Sequence, residues 1–502
     1  MDVLGRPAGG RRRLFLVASV MVVVLGLVGL VLALAADRRP ESIRNQGLSI
    51  PDDPRAAPSD PTPPSVSTPS STTAQGPPFA VGVASDGRHL MDQYGAPFLV
   101  RGDSPWSLLT DLSPAEAQTY FANRAGHGYN AALVSLIGSE ANGGTSDDGA
   151  TYDGIRPFVG GDVLSWDDAY WSRAHDSLRA AAESGITVFL FPIDGWTVGR
   201  AFTPVSIEQC RSYGRMVADW AADLPNIAWM AGGDYFPITN EPELGSDVDH
   251  CIDAMMSGIT ETGDDRLFSI QLGYDRSLST ENPYWAPRVD WNFVYTYYPT
   301  YQAVLEAYAW TPPMPAIMGE GNYEGENNQP DTPGTTDETL RRQVLWALTS
   351  GAAGDFAGSD DWEFNPGWRA RLDTASVDQT ARIRDLFAGL RWWELVPDVE
   401  DELVTGGRGR PVNDNAMDVL DDDYVTAAHT PDGTLAVVYV PTARTIDLDL
   451  DRLVAAVSAT WVDPVSGDRR EVSPGSRMST PGANAGGDGD WILVLSADGL
   501  PG

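Results

Sequence analysis

ITVFLFPIDGWTVGRAFTPVSIEQCRSYGRMVADWAADLPNIAWMAGGD, residues 186–234, holds two wholly apolar runs with an amphipathic one between them. ITVFLFPI (Ile186–Ile193) and IAWMAGG (Ile227–Gly233) lack polar alternation, which predicts strands buried on both faces. Ser206–Asp223 between them is predicted helical. Strand, helix and strand in this order make a parallel β-α-β unit. The same rhythm extends in both directions. Upstream lie a hairpin (Arg88–Asp92, a turn at Tyr94-Gly95, then Pro97–Arg101), a helix from Ser113 to about Ala125, a strand over Ala131–Ile137 and a helix over Asp167–Ser184. The helix at Ser113 opens with Ser-Pro-Ala-Glu, a capping box with proline at the first helical position. Downstream come a helix over Asp247–Thr262 and strands LFSIQL (Leu267–Leu272), NFVYTYY (Asn292–Tyr298) and AIMGE (Ala316–Glu320). A helix over Thr336–Ser350, the strand GDFAG (Gly354–Gly358) and a helix over about Ser376–Leu390 close the series.

With Phe98–Gly102 as the first strand, this predicts an α/β fold, an eight-stranded TIM-type barrel over residues 79–397. An open doubly wound sheet is the alternative. No GxGxxG or P-loop follows the early strands, which counts against a nucleotide-binding version of it. From residue 398 to 502 short β-rich runs (YVTAAHT, LAVVYVPT, IDLDL, SATWVDP, WILVLS) predict a small antiparallel β-sandwich.

The N-terminus is of another kind. Residues 1–13 are basic, and 14–36 are an unbroken apolar run. That length suits a helix crossing a ~30 Å hydrocarbon core, with the basic flank in the cytoplasm. The expectation is a signal anchor in the cell membrane with the catalytic body outside. Secretion after cleavage near Ala33-Leu34-Ala35 is the alternative. Residues 37–78, rich in Pro, Ser and Thr, are expected to be a disordered tether.

The formal net charge of −36 argues against nucleic acid and anionic lipid as partners. Cys210 and Cys251 are the only cysteines. They form either a disulfide, as an exported protein allows, or two buried thiols. No Cys/His cluster has zinc spacing, so neither a metal nor an organic cofactor is expected, and the chain is expected to be a monomer.

Barrel enzymes carry their chemistry where strands end. The strand ends here offer Asp103 and Trp106, Asp194 and Trp196, Asp234 and Tyr235, Tyr295 and Tyr297, then Glu320, Tyr323 and Glu324, and finally Asp360, Asp361 and Trp362. Carboxylates among aromatics suit glycoside hydrolysis, in which one carboxylic acid protonates the leaving oxygen and a second carboxylate attacks the anomeric carbon or activates water. A carboxylate ending strand four (Asp234) faces one ending strand seven (Glu320) across the barrel mouth. Asp103 and Glu324 are candidates for gripping sugar hydroxyls. Trp106, Trp196, Tyr235, Tyr297, Tyr323 and Trp362 are candidates for lining the subsites. A non-catalytic carbohydrate- or wall-binding surface protein is the rival reading, though it would not need both carboxylates. The absence of a GxSxG elbow at a strand end and of HExxH argues against a peptidase.

PFLVRGDSPWSL, PNIAWMAGGD, PAIMGEGNYEGE, LRRQVLWALTSGAAGDFAG and LRWWELVPD carry a resemblance over about Arg88 to Pro397. The chain resembles the apiosidase-like glycosidases, a family related to glycoside hydrolase family 140 and first described as a domain of unknown function. The tail resembles the collagen-binding-type β-sandwich that often follows this barrel, and a structural module packed through Trp392 and Trp393 is the expected role. The resemblance implies a retaining hydrolase of a cell-wall or plant-type polysaccharide, releasing apiose or another furanose. It implies Asp234 as acid/base in Gly-Gly-Asp and Glu320 as nucleophile in Gly-Glu-x-x-Tyr-Glu. Two segments depart from the family. Gly-Asp-Ser-Pro-Trp (102–106) stands where Gly-Asp-Thr-Ala-Trp is usual, and QLGYDRS (271–277) stands where a histidine-containing stretch is usual.

Overall fold

The computed structural model describes residues 76–237, 247–326, 334–411 and 419–500. The basic segment 1–13, the expected membrane span 14–36 and residues 37–75 of the expected tether lie outside them. Among the described residues no helix is long and apolar enough to cross a membrane.

Eight strands form the barrel wall: β1 (Val100–Asp103), β2 (Ala131–Ser135), β3 (Thr187–Phe191), β4 (Ile227–Tyr235), β5 (Phe268–Leu272), β6 (Asn292–Thr296), β7 (Ala316–Glu320) and β8 (Gly354–Ala357). They are parallel, in the order β5-β4-β3-β2-β1-β8-β7-β6. Ala131, Leu133, Phe189, Phe191, Ala228, Met230, Phe293 and Ile317 share one core with Phe356. Their neighbours Ala132, Val134, Val188, Leu190, Ile227 and Trp229 pack in another with residues of the flanking helices. Both faces are buried, which is why these runs are continuously apolar.

Helices α1 (Pro114–Gly126), α2 (Asp168–Glu183), α3 (Ile207–Trp220), α4 (Asp247–Glu261), α5 (Thr300–Tyr308), α6 (Asp337–Thr349) and α7 (Ala375–Ala388) flank the sheet. The capping box of α1 is formed: the Ser113 hydroxyl accepts from the Glu116 N–H, and the Ser113 N–H donates to the Glu116 carboxylate at 2.9 Å. Cys210 on α3 and Cys251 on α4 are joined as a disulfide.

Two features differ from expectation. Pro97–Phe98 belongs to a separate three-stranded antiparallel sheet with Leu90–Asp92 and Ala80–Val83, so the first barrel strand begins at Val100. The seam between β5 and β6 holds no α-helix, only a 3-10 turn at Ser279–Glu281. A ninth, antiparallel strand, Arg276–Leu278, pairs with the end of β6, Ser277 opposite Tyr295. Below it serine side chains bridge the strands. Ser269 Oγ donates to the Trp291 carbonyl at 2.7 Å, and Ser279 Oγ donates to the Ile270 carbonyl at 2.6 Å while accepting from the Phe293 N–H at 2.8 Å. The barrel is therefore nearly closed, with one seam sewn by hydroxyls.

The C-terminal part contains two antiparallel sheets. One has six strands: Val396–Pro397, Thr426–His429, Leu435–Val440, Trp491–Ser496, Ser458–Val462 and Arg469–Val472, in that spatial order. The other has three: Val404–Gly406, Thr445–Leu448 and Arg477–Ser479. Val438, Trp461 and Leu493 of the larger sheet share a core with Ile446, Leu448 and Met478 of the smaller. The larger sheet's other face, including Val437, Tyr439 and Ile492, packs with Leu345, Trp346 and Phe387 of the barrel helices. Trp392 and Trp393 belong to this shared core, but the polar ties come from α6. Arg341 is fully buried against Asp490, with Nη2–Oδ1 at 2.9 Å, and the Trp346 indole N–H donates to the Tyr424 carbonyl at 2.8 Å.

Candidate active site

The end of β4 is bent by its glycines. Gly232, Gly233 and Asp234 have φ of 91°, 81° and 49°. Pairing with β5 slips between Gly232 and Tyr235, so the strand bulges there. A Cβ on Gly232 would lie 1.9 Å from the Gln271 carbonyl oxygen, and one on Gly233 would lie 2.5 Å from the Asp194 Cβ. Only glycines permit this approach, and the bulge turns Asp234 into the barrel mouth. Gly232→Ala is expected to cost about 2 kcal/mol or more from φ strain and the clash. A thermal melt reads that loss. The variant should also lose activity out of proportion to the unfolded fraction, because the collision falls on Gln271.

Asp234 and Glu320 open into one cavity of ≈ 240 Å³ with Trp106, Asn142, Asp194, Trp196, Gln271, Tyr295, Tyr297, Tyr323, Glu326 and Trp362. Glu320 ends β7 and is buried. Its Oε2 accepts from Gln271 Nε2 at 2.6 Å. The Tyr323 hydroxyl accepts from the Trp106 indole N–H at 2.8 Å, which leaves its own proton for Glu320, the carboxylate within its hydrogen-bonding reach. Asp194 is buried and fully bonded, accepting from Ser135 and Asn142 side chains and from the N–H groups of Trp196 and Thr197.

Burial pushes Asp234 up to about 6, opposed by Tyr295 and Trp196 and helped by the charge of Asp194. Burial, then the charges of Asp234 and Glu326, hold Glu320 well above the ordinary carboxylate range, opposed by Gln271 and Tyr323. Two such groups in one small cavity favour sharing a single proton. Burial and the charge of Asp234 favour that proton on Glu320 in the unliganded site. Each carboxyl has two side-chain donors opposing its rise, Gln271 and Tyr323 at Glu320 and Tyr295 and Trp196 at Asp234, while the buried Oδ1 of Asp234 has no hydrogen-bond partner among the described residues and is the oxygen open to a bound group. Burial also lifts Glu326 to about 7, against the Trp362 indole that donates to it at 2.7 Å.

Of the residues singled out from sequence, Asp234, Glu320, Trp106, Trp196, Tyr297, Tyr323 and Trp362 line this cavity. Asp103, Glu324 and Tyr235 do not. Asp103 accepts from the Tyr120 hydroxyl at 2.6 Å and faces Arg124 Nε at 3.4 Å. Glu324 is a β-bridge partner of Ser359 and accepts from the Thr374 hydroxyl at 2.8 Å. Tyr235 donates its hydroxyl proton to Asp249. Five polar lining residues had no assigned role: Asn142, Asp194, Gln271, Tyr295 and Glu326. Asp194 and Tyr295 stood among the strand-end candidates, and Gln271 is the penultimate residue of β5. Glu326 lies two residues past Glu324, beyond a Gly325 at φ 79° that turns the chain. Among the described residues no group of three or more His, Cys, Asp or Glu is placed to hold a metal ion.

The profile of the family described as "Apiosidase-like, catalytic domain" matches residues 84–394. A second, described as "Putative collagen-binding domain of a collagenase", matches residues 412–496. One solved structure, described as a glycoside hydrolase, is 20% identical with a TM-score of 0.70, over 83% of this chain and 97% of its own. A glycoside hydrolase family 5 protein from Bacteroides vulgatus is 20% identical with a TM-score of 0.71, over 84% of this chain and 94% of its own. At such identities the likeness shows the fold. No curated protein matches the chain.

Proposed function

Because the chain belongs to the apiosidase-like family, we propose that it is a retaining glycoside hydrolase with Glu320 as nucleophile and Asp234 as acid/base. One observation carries the reading: the carboxyl groups ending β4 and β7 open into a single cavity, where Gln271 donates to Glu320 at 2.6 Å. In the first step the Glu320 carboxylate attacks the anomeric carbon and the Asp234 proton passes to the departing glycosidic oxygen. In the second, Asp234 takes a proton from water, the water oxygen attacks the anomeric carbon, and the bond to Glu320 breaks. Gln271 and Tyr323 orient the nucleophile and stabilise its charge before attack and after release.

The substrate in this reading is a cell-wall or plant-type polysaccharide, and the released unit is apiose or another neutral furanose. Among the described residues no Lys, Arg or His lines the cavity, while Asp194, Asp234, Glu320 and Glu326 all do. Such a lining disfavours a uronic acid as the released sugar. In the same reading the catalytic body works outside the cytoplasm, tethered by residues 14–36, and the Cys210–Cys251 disulfide supports an oxidising surrounding. The C-terminal sheets brace α6 rather than bind substrate.

The test is to incubate the purified full-length chain with apiose-bearing and other furanose-bearing pectic oligosaccharides and follow the first-formed sugar by proton NMR. The expected product keeps the anomeric configuration of the bond cleaved. An inverted first product would remove the nucleophile role from Glu320.

A further inference from the structure

Five aromatic side chains are exposed among the described residues, and three of them stand at neighbouring strand ends: Trp196, Phe236 and Tyr274. Trp196 follows β3, Phe236 follows β4, and Tyr274 follows β5. Phe236 is 59% exposed and Tyr274 is 48% exposed. Isolated surface aromatics need no explanation, but these two form an edge-to-face pair with centroids 5.4 Å apart and planes at 89°. The pair is built into the backbone. A Cβ on Gly273 would lie 2.1 Å from the Phe236 ring, so the ring rests directly on that glycine. The turn carrying Tyr274 is held to β6 through the Asp275 carbonyl, which accepts from the Tyr297 N–H at 2.9 Å. The loop carrying Trp196 is held to β4 by the Gly195 N–H, which donates to the Gly232 carbonyl at 2.6 Å.

The two sides of the cavity differ. On the nucleophile side Trp106 and Tyr323 are buried and hydrogen-bonded to each other, which suits an enclosed site for the sugar that is released. On the acid side Tyr295 is buried beside Asp234, but Trp196, Phe236 and Tyr274 at the ends of β3, β4 and β5 are exposed. A general acid delivers its proton to the oxygen of the leaving group, so that group must pass beside Asp234, and Phe236 is two residues further along the chain.

We propose that Phe236 and Tyr274, continuing from Trp196, form a platform on which the glycan chain bearing the scissile sugar stacks. The proposal rests on the reading of Asp234 as the acid. Flat rings against the C–H faces of successive sugars bind a chain without demanding one hydroxyl pattern, so the platform takes the polymer and the enclosed cavity takes the branch.

The test is affinity electrophoresis of the full-length chain through gels with and without soluble branched pectic polysaccharide. Glu320→Ala is used throughout so that no polymer is cleaved. The expected result is retardation of this chain by the polymer, weakened by about fivefold or more when Phe236→Leu and Tyr274→Leu are added. The leucines keep apolar bulk and remove the aromatic faces, and a thermal melt shows whether both chains are folded. Equal retardation of the two folded chains overturns the platform, as does no retardation of the parent. If the leucine chain is unfolded, Tyr274→Leu alone must weaken retardation, and failure to do so also overturns it. Residual hydrolysis by Glu320→Ala would instead sink the catalytic reading and leave the retardation result standing.

Discussion

Glu320→Ala is expected to lower kcat by about 10⁴-fold or more while the chain remains folded. In the proposed mechanism the nucleophile has no substitute at its position. Asp234 lies at the end of β4, and Glu326 is bonded to the Trp362 indole. Stability should not suffer much, because the side chain removed is a buried carboxylate held in the fields of Asp234 and Glu326. The truncation leaves a small space between Gln271 and Tyr323, both donors that would receive an anion. Azide is therefore expected to restore turnover on a substrate with a good leaving group and to yield a glycosyl azide of inverted configuration. Inversion follows because azide would enter from the face Glu320 occupies, and only one displacement would occur. An azide adduct of retained configuration, or unchanged hydrolysis without azide, would reject the assignment.

The strands of the barrel were legible because each is buried on both faces, so Thr187–Phe191 and Ile227–Ala231 carry no polar interruption. The seam was not. QLGYDRS looks like a strand end followed by a turn, and nothing in its composition says that Arg276–Leu278 doubles back along β6 or that Ser279 will bridge two backbones. Helix α5 went unpredicted for a related reason. It is nine residues long and starts after Pro299 with no side-chain cap. For the site, position at a strand end predicted that Asp234 and Glu320 come together, and they open into one cavity, because a parallel barrel brings strand ends together regardless of loop length. It also selected Asp103 and Glu324, which do not line that cavity because side chains on or beside the flanking helices hold them elsewhere. Tyr120 and Arg124 of α1 occupy Asp103, and Thr374 occupies Glu324. Glu326 shows the same limit in reverse, since it is brought into the cavity by one left-handed glycine.

Asp234→Ala should separate the two steps that one carboxyl serves. Loss of general acid assistance costs about 10²–10⁴-fold on a natural alcohol leaving group, and far less on a glycosyl fluoride, whose departure needs little protonation. Loss of the general base slows the second step for every substrate. Glycosyl fluoride is therefore expected to leave a glycosyl group on Glu320, visible by mass spectrometry, and azide should speed its release with retained configuration. An equal loss on all leaving groups would argue that Asp234 only maintains the shape of the site. The pH dependence follows from the raised carboxyl. Asp234 is protonated below about 6 and loses its proton above it. Since the first step needs the acid form, kcat/KM of the wild type should fall as pH rises through about 6, and this limb should vanish in Asp234→Ala. The stability effect has a definite sign as well. The folded chain binds this proton more tightly than the unfolded chain, so the contribution of Asp234 is fully present below the ordinary carboxylate range. It is lost as pH rises from that range through about 6, after which it levels off. Asp234→Asn removes this dependence, and denaturant titrations of both chains at pH 4 and pH 8 should show the wild type losing more than the variant between the two. A buried carboxyl kept for its proton thus weakens the fold at neutral pH, a cost expected where a residue is retained for chemistry.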